Sequence, residues 1–144
     1  MPSLTKAMES LRESEARLQS ILDNSGTVVF LKDLEGRYIT VNRRYEELFH
    51  VTRQEVVDKS DYDIFSPEHA ARLQQHDLLA LKKGGPIEVE ESVPQDDGLH
   101  TYISAKFPLF SVKGEPYAVC GIATDITGHK REKIGLALRD ELNR

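Results

Sequence analysis

Residues 117–123 constrain this chain more than any other stretch, because they are apolar on both faces of a strand. Alternation sets Tyr117, Val119, Gly121 and Ala123 on one side and Ala118, Cys120 and Ile122 on the other, since successive strand residues point to opposite faces. Such a strand belongs inside a sheet that is covered on both sides. It follows the turn Lys113-Gly114-Glu115-Pro116 and runs into Asp125-Ile126-Thr127. Beyond Thr127, which suits an N-cap, the composition is helical, with Ile134, Leu138 and Leu142 spaced by fours.

The elements upstream fix what that strand pairs with. Leu4, Met8, Leu11, Leu18 and Leu22 form a narrow apolar seam interrupted by Glu15, the pattern of an amphipathic helix in need of a partner. The seam fits equally a helix packed on its own domain and one paired with a second copy. Asn24-Ser25-Gly26 ends it. Residues 27–32 and 37–41 read as a hairpin around the turn Asp33-Leu34-Glu35-Gly36. Asn42 then caps a short helix with Tyr45, Leu48 and Phe49 inward, and Thr52 with Glu55 has capping-box spacing. Ser66-Pro67 starts the longest internal helix and Gly84-Gly85-Pro86 stops it. Ile87, Val89, Glu91 and Val93 alternate against Glu88, Glu90 and Ser92 in a strand with an acidic outer edge; Asp97-Gly98 turns the chain into a long strand at 99–110, where Pro108 requires a local edge or bulge. Strands at both ends with helices between them predict an α+β fold: a five-stranded antiparallel sheet with helices on one face, flanked by N- and C-terminal amphipathic helices. The boundaries expected are 1–24 for the first helix, 25–127 for the domain and 128–144 for the C-terminal helix.

Composition excludes several functions. A chain of 144 residues can bury a core without disulfide or metal staples, and its single cysteine permits no internal disulfide. A net charge of −5 with no basic cluster longer than two residues argues against nucleic acid as a partner. No apolar run reaches the roughly 20 residues that cross a bilayer, and no signal-peptide core is present, so the expectation is a soluble, cytoplasmic piece without direct membrane contact.

The order of elements, Lys32-Asp33-Leu34-Glu35-Gly36-Arg37-Tyr38-Ile39-Thr40-Val41-Asn42 at the first hairpin, Gly114 before the last strand, and Gly121 to Asp125-Ile126-Thr127 at its end together resemble a PAS domain over about residues 25–127. The resemblance implies a sensory and dimerisation module of a signalling protein such as a histidine kinase or diguanylate cyclase. Such a module senses a small ligand in a pocket and passes the change through the last strand to the following helix. It further implies a homodimer through the terminal helices, an output domain in the parent protein and no catalysis by this piece. Carried onto this chain, the pocket side holds Phe30, Leu73, His76, Val89, Tyr102, Ser104, Val119, Gly121 and Ala123. Gly121 and Ala123 leave room there, unless the helices collapse onto the sheet and close it. Asp125, Thr127 and Gly128 form the transmitting junction. Gly128, costing up to about 1 kcal/mol relative to Ala in a helix, and the cations that follow it make that junction soft.

Two alternatives differ in chemistry. The first is a haem- or flavin-binding gas or redox sensor. His69 and His76 stand about 10.5 Å apart along one helix, too far to share a metal ion, so haem would use one of them, His76 for preference. A flavin adduct is excluded because residues 57–62 contain no cysteine and Ala123 stands where the light-sensing subset has glutamine; Cys120 reads as a small core residue facing away from the pocket. The second is an unrelated small α+β enzyme. No nucleophile–base pair, metal cluster or phosphate loop stands out: Asp61 and Asp63 read as a capping turn, Glu88 and Glu90 as a solvated face, and His129 lacks a phosphoacceptor context. No catalytic or metal residue is assigned.

Overall fold

The computed structural model describes residues 3–142, with the side chains of residues 130, 131, 134 and 138–142 outside that description. The expected contacts of Ile134, Leu138 and Leu142 therefore lie outside the described residues. In chain order the elements are α1 (Leu4–Asp23), β1 (Val28–Asp33), β2 (Tyr38–Val41), α2 (Arg43–Phe49), α3 (Arg53–Val56), α4 (Asp61–Ile64), α5 (Pro67–Lys83), β3 (Ile87–Gln95), β4 (Gly98–Phe110), β5 (Pro116–Asp125) and α6 (Thr127–Leu142). The strands make one five-stranded antiparallel sheet in the order β2-β1-β5-β4-β3. The doubly apolar strand, β5, is its centre.

Local signals place most boundaries. Asn42 accepts a hydrogen bond from the Tyr45 amide at 3.2 Å and also from the Val29 amide at 3.0 Å, tying the start of α2 to β1. The Ser66 hydroxyl caps α5 at the His69 amide, and Gly84 closes that helix in the left-handed conformation, φ +71°. Pro108 sits in β4 beyond Lys106, whose partner Ile87 is the first residue of β3, so its missing amide breaks no β3 ladder.

α5 lies across β3, β4 and β5, and the short helices close the β1–β2 end. Between these layers sits a core of Val28, Phe30, Tyr38, Val41, Tyr45, Val56, Val93, Tyr102 and Ala123. α1 meets this body at its C-terminal end, where Asn42 Nδ2 donates to Leu22 O at 2.7 Å and the Arg43 amide donates to Asp23 Oδ1 at 2.9 Å; none of its residues is buried, and Leu4, Met8, Leu11, Leu18 and Ile21 are exposed. Among the described residues no helix is long and apolar enough to cross a membrane.

Candidate functional site

Between α5, the short helices and the inner face of β1, β3, β4 and β5 lies a cavity of about 40 Å³, lined by Phe30, Tyr38, Tyr45, Phe49, Phe65, His69, Leu73, Tyr102, Ser104 and Ala123, with Val28, Leu48, Glu91 and Val93 completing it. Its aromatic wall is one edge-to-face series. Phe30 meets Tyr38, Tyr38 meets Tyr45, Tyr45 meets Phe49, Phe49 meets Phe65 and Phe65 meets His69, at centroid separations of 4.7 to 6.1 Å, the geometry in which a positive ring edge faces a negative ring face. The Tyr45 hydroxyl donates to Tyr38, and that of Tyr38 donates to Asp61 at 2.5 Å. Burial raises the pKa of both phenols, so each stays a donor.

Behind Phe30 lies a buried ionic network. Lys32 Nζ donates to Asp61 at 2.6 Å and to Asp77 at 2.8 Å, while resting 4.7 Å from the centre of the Phe30 ring. Lys106, wholly buried, holds its Nζ 3.3 Å from Asp77 and 3.4 Å from Glu91 without hydrogen-bonding geometry to either. Glu91 Oε2 also stands 2.8 Å from His76 Nδ1. Burial alone would raise the Glu91 carboxyl, but Lys106, Ser104 and His76 together hold it below the usual carboxylate range. Charges this deep persist only when paired, and the pairing here links β1, α4, α5, β4 and β3.

The strand exit is tied down separately. The Thr127 amide donates to Asp125 Oδ1 at 2.9 Å, and Thr127 Oγ1 accepts from the Thr101 amide at 2.8 Å. Thr127 is therefore the first residue of α6, not the residue that precedes it as the N-cap assignment had it, and its hydroxyl serves the Thr101 amide of β4. His100 brings Nδ1 within 2.7 Å of Asp125 and Nε2 within 2.6 Å of Asp97. Gly128 is helical and exposed, with nothing within 4 Å of where a Cβ would stand.

Of the residues assigned to a pocket from sequence, Phe30, Leu73, Tyr102, Ser104 and Ala123 come together on the cavity. The others stand outside it. At Gly121 the expected room is already filled, since a Cβ there would lie 2.1 Å from Phe30 Cζ. Val119 is buried in a shallow recess with Leu34, Gln74 and Leu81, and half-buried Val89 is not on the cavity wall. His76 is held by Glu91, and a space this small does not fit a porphyrin beside it. His69 is the helix histidine that reaches the cavity. Asp61 corrects another assignment: Asp63 does form the capping box with Ser60, but Asp61 is fully buried on Lys32 and Tyr38. Cys120 lies on the opposite face of β5, half-buried, its thiol pushed up to about 11 by burial. Sequence reasoning missed Tyr38, Phe65 and the Lys32–Asp77–Lys106 core of the network. The signal available was two lysines, Lys32 and Lys106, on inward positions of strands. Among the described residues no group of three or more metal-ligating side chains converges.

With this geometry in place, similarity to known proteins becomes interpretable. A family model described as PAS fold matches residues 22–131. The methanogenesis regulatory histidine kinase FilI of Methanothrix harundinacea is 34% identical over 135 residues, covering 93% of this chain and 15% of that protein. A diguanylate cyclase of Vibrio cholerae is 28% identical, covering 74% of this chain and 34% of its own length, and the aerobic respiration control sensor ArcB of Escherichia coli is 28% identical, covering 86% and 16%. The chain thus spans 15% to 34% of the length of these relatives. Among solved structures, VqmA of Vibrio cholerae in a ligand–DNA complex superposes with a TM-score of 0.70 at 24% identity, covering 78% of this chain and 51% of that one. The PAS domain of a Colwellia psychrerythraea protein gives 0.65 at 18%, covering 78% and 97%. These two likenesses speak to the fold, and the sequence match to the family: the chain belongs to the PAS fold family.

Proposed function

We propose that this chain is the sensory and dimerisation module of a larger cytoplasmic signal-transduction protein, a histidine kinase or a cyclic-di-GMP enzyme. A small ligand occupies the aromatic cavity, and its occupancy is passed through β5 to α6 and on to an output domain. One observation carries the reading: Ala123 lines the cavity, and Asp125, two residues and about 7 Å further along the same strand, holds Thr127 at the start of α6. Tyr102, on the cavity wall, is the cross-strand partner of Asp125. A ligand that moves Tyr102 or Ala123 therefore acts directly on the junction.

Two copies pair through α1, whose seam of Leu4, Met8, Leu11 and Leu18 is exposed among the described residues, and through α6. With a net charge of −5 and no run of more than two basic residues, the sequence offers a phosphate backbone no concentrated positive stretch, so contact with DNA of the kind in the VqmA complex would belong to an output domain. Native mass spectrometry of the purified chain tests the reading. A dimer retaining a small non-covalent mass is expected; a monomer that carries no added mass, even after incubation with cell extract, overturns it.

A further inference from the structure

A single imidazole bridges the β3–β4 turn and the exit of β5. His100, near the start of β4, sets Nε2 2.6 Å from Asp97 in the turn and Nδ1 2.7 Å from Asp125 at the end of β5. The turn is held from its other side as well, since Asp96 stands 2.8 Å from Nε2 of His50, the left-handed residue that closes α2. Along β4 the bridge is followed at once by Thr101, whose amide donates to Thr127 Oγ1 at 2.8 Å and whose carbonyl accepts from the Ile126 amide at 2.9 Å. Asp125 accepts from the Thr127 amide through Oδ1 while its Oδ2 faces His100. One carboxylate is thus divided between the histidine and the first residue of α6.

The bridge is complete only when the ring carries both protons. An imidazolium donates from both nitrogens; a neutral ring donates from one and turns a lone pair toward the other carboxylate, which repels it. The charged groups facing the ring are those two carboxylates: β3 sets the uncharged Val93 opposite it, and α6 meets the strand through the uncharged Thr127. Further round, Arg44 of α2 acts on the Tyr102 phenol, and Asp96 is engaged by His50. The bonds to Asp125 and to Asp97 raise the His100 pKa above its ordinary value of 6.5, so the proton leaves above that value. Asp125 is held below the usual carboxylate range and stays charged while it does. The His100 side chain is 15% exposed, so water reaches the ring to deliver and remove the proton.

We propose that His100 is a proton-operated latch on the start of α6: with both nitrogens protonated it ties the β3–β4 turn to Asp125 and fixes the junction, and with one proton gone it releases one carboxylate and lets the junction move. Falling pH closes the latch and rising pH opens it. This input is separate from any occupant of the cavity and adds pH to what the module reads.

The experiment is a pH titration of the purified, isotopically labelled chain by NMR, following the ring nitrogens of His100 and the backbone amides of Thr101, Thr127 and Gly128. The His100 midpoint should lie above about 6.5, and the three amides should shift with that same midpoint. Asp97→Asn removes one of the two carboxylates and should move the midpoint down toward the ordinary value. In His100→Gln the shared transition of the amides should vanish, whereas His50→Gln should leave it in place. A His100 midpoint at or below about 6.5, amides that do not follow the ring, or a transition that survives His100→Gln or is lost in His50→Gln overturns the latch. If His100→Gln does not fold, Asp97→Asn decides, and an unmoved midpoint overturns the proposal. The ligand reading is tested separately by the native mass spectrum, so either can fail while the other stands.

Discussion

His100 faces carboxylates with both ring nitrogens, Asp125 at 2.7 Å and Asp97 at 2.6 Å, one residue before the strand amide that Thr127 binds. An uncharged imidazole has one N–H and can donate to one of them; the imidazolium serves both. The hydrogen bonds to Asp125 and Asp97 accordingly raise the His100 pKa above its ordinary value. A raised cationic group stabilises the fold fully below its unfolded pKa, about 6.5, and loses that contribution as pH rises through the folded value. Asp125 runs the other way. Burial pulls it up, but the bonds from Thr127 and His100 outweigh burial and lower it, so its contribution is lost only as pH falls through the folded value, in the acid range. The difference in Tm between the wild type and His100→Gln should therefore be largest below the ordinary imidazole value of about 6.5 and shrink as pH rises above it. A difference that is flat or grows with pH contradicts the paired geometry.

Lys32 is the hub of the buried network. Lys32→Met leaves Asp61 and Asp77 without their closest cation and should cost about 3–5 kcal/mol in urea denaturation. Adding Asp61→Asn to it should recover part of the loss, because the second change removes the uncompensated charge.

Phe30 occupies the place a side chain at residue 121 would take. Gly121→Ala should destabilise by about 1–3 kcal/mol through overpacking. Combined with Phe30→Leu, the two should be strongly non-additive in a double-mutant cycle, with the second substitution relieving the first.

Gly128→Ala meets no atom within 4 Å. It should stabilise the first turn of α6 by up to about 1 kcal/mol, leave ligand affinity unchanged and alter output in the full-length protein. Unchanged output in a reporter strain would show that the stiffness of this junction is not part of the signal.

Leu11→Glu with Leu18→Glu places charge on the open face of α1, where both leucines are already exposed, 59% and 58%. Monomer stability should hold within about 0.5 kcal/mol, while sedimentation shifts from dimer toward monomer.

What the sequence determined by itself was everything written in local chemistry. Asn42, Ser66, Gly84 and Gly36 cap and turn the chain through their own side chains or φ freedom, and the period of two in 117–123 placed that strand inside a sheet whichever partners it found. Part of the cavity wall was legible for the same reason: Phe30, Tyr102, Ser104 and Ala123 are inward positions of β1, β4 and β5 that follow from alternation. The tertiary structure decided the rest. Lys32 and Lys106 sit at inward positions like any core residue, and the arrival of Asp61 and Asp77 from two separate helices, with Glu91 from β3, makes burying them tolerable. Gly121 is small in sequence, but the space beside it depends on which neighbour reaches across, and that neighbour is Phe30, paired with it only through sheet register. His69 and His76 look alike on one helix. Which of them meets Glu91 and which the cavity was fixed by how α5 lies across the sheet, a packing angle that no stretch of the chain encodes alone.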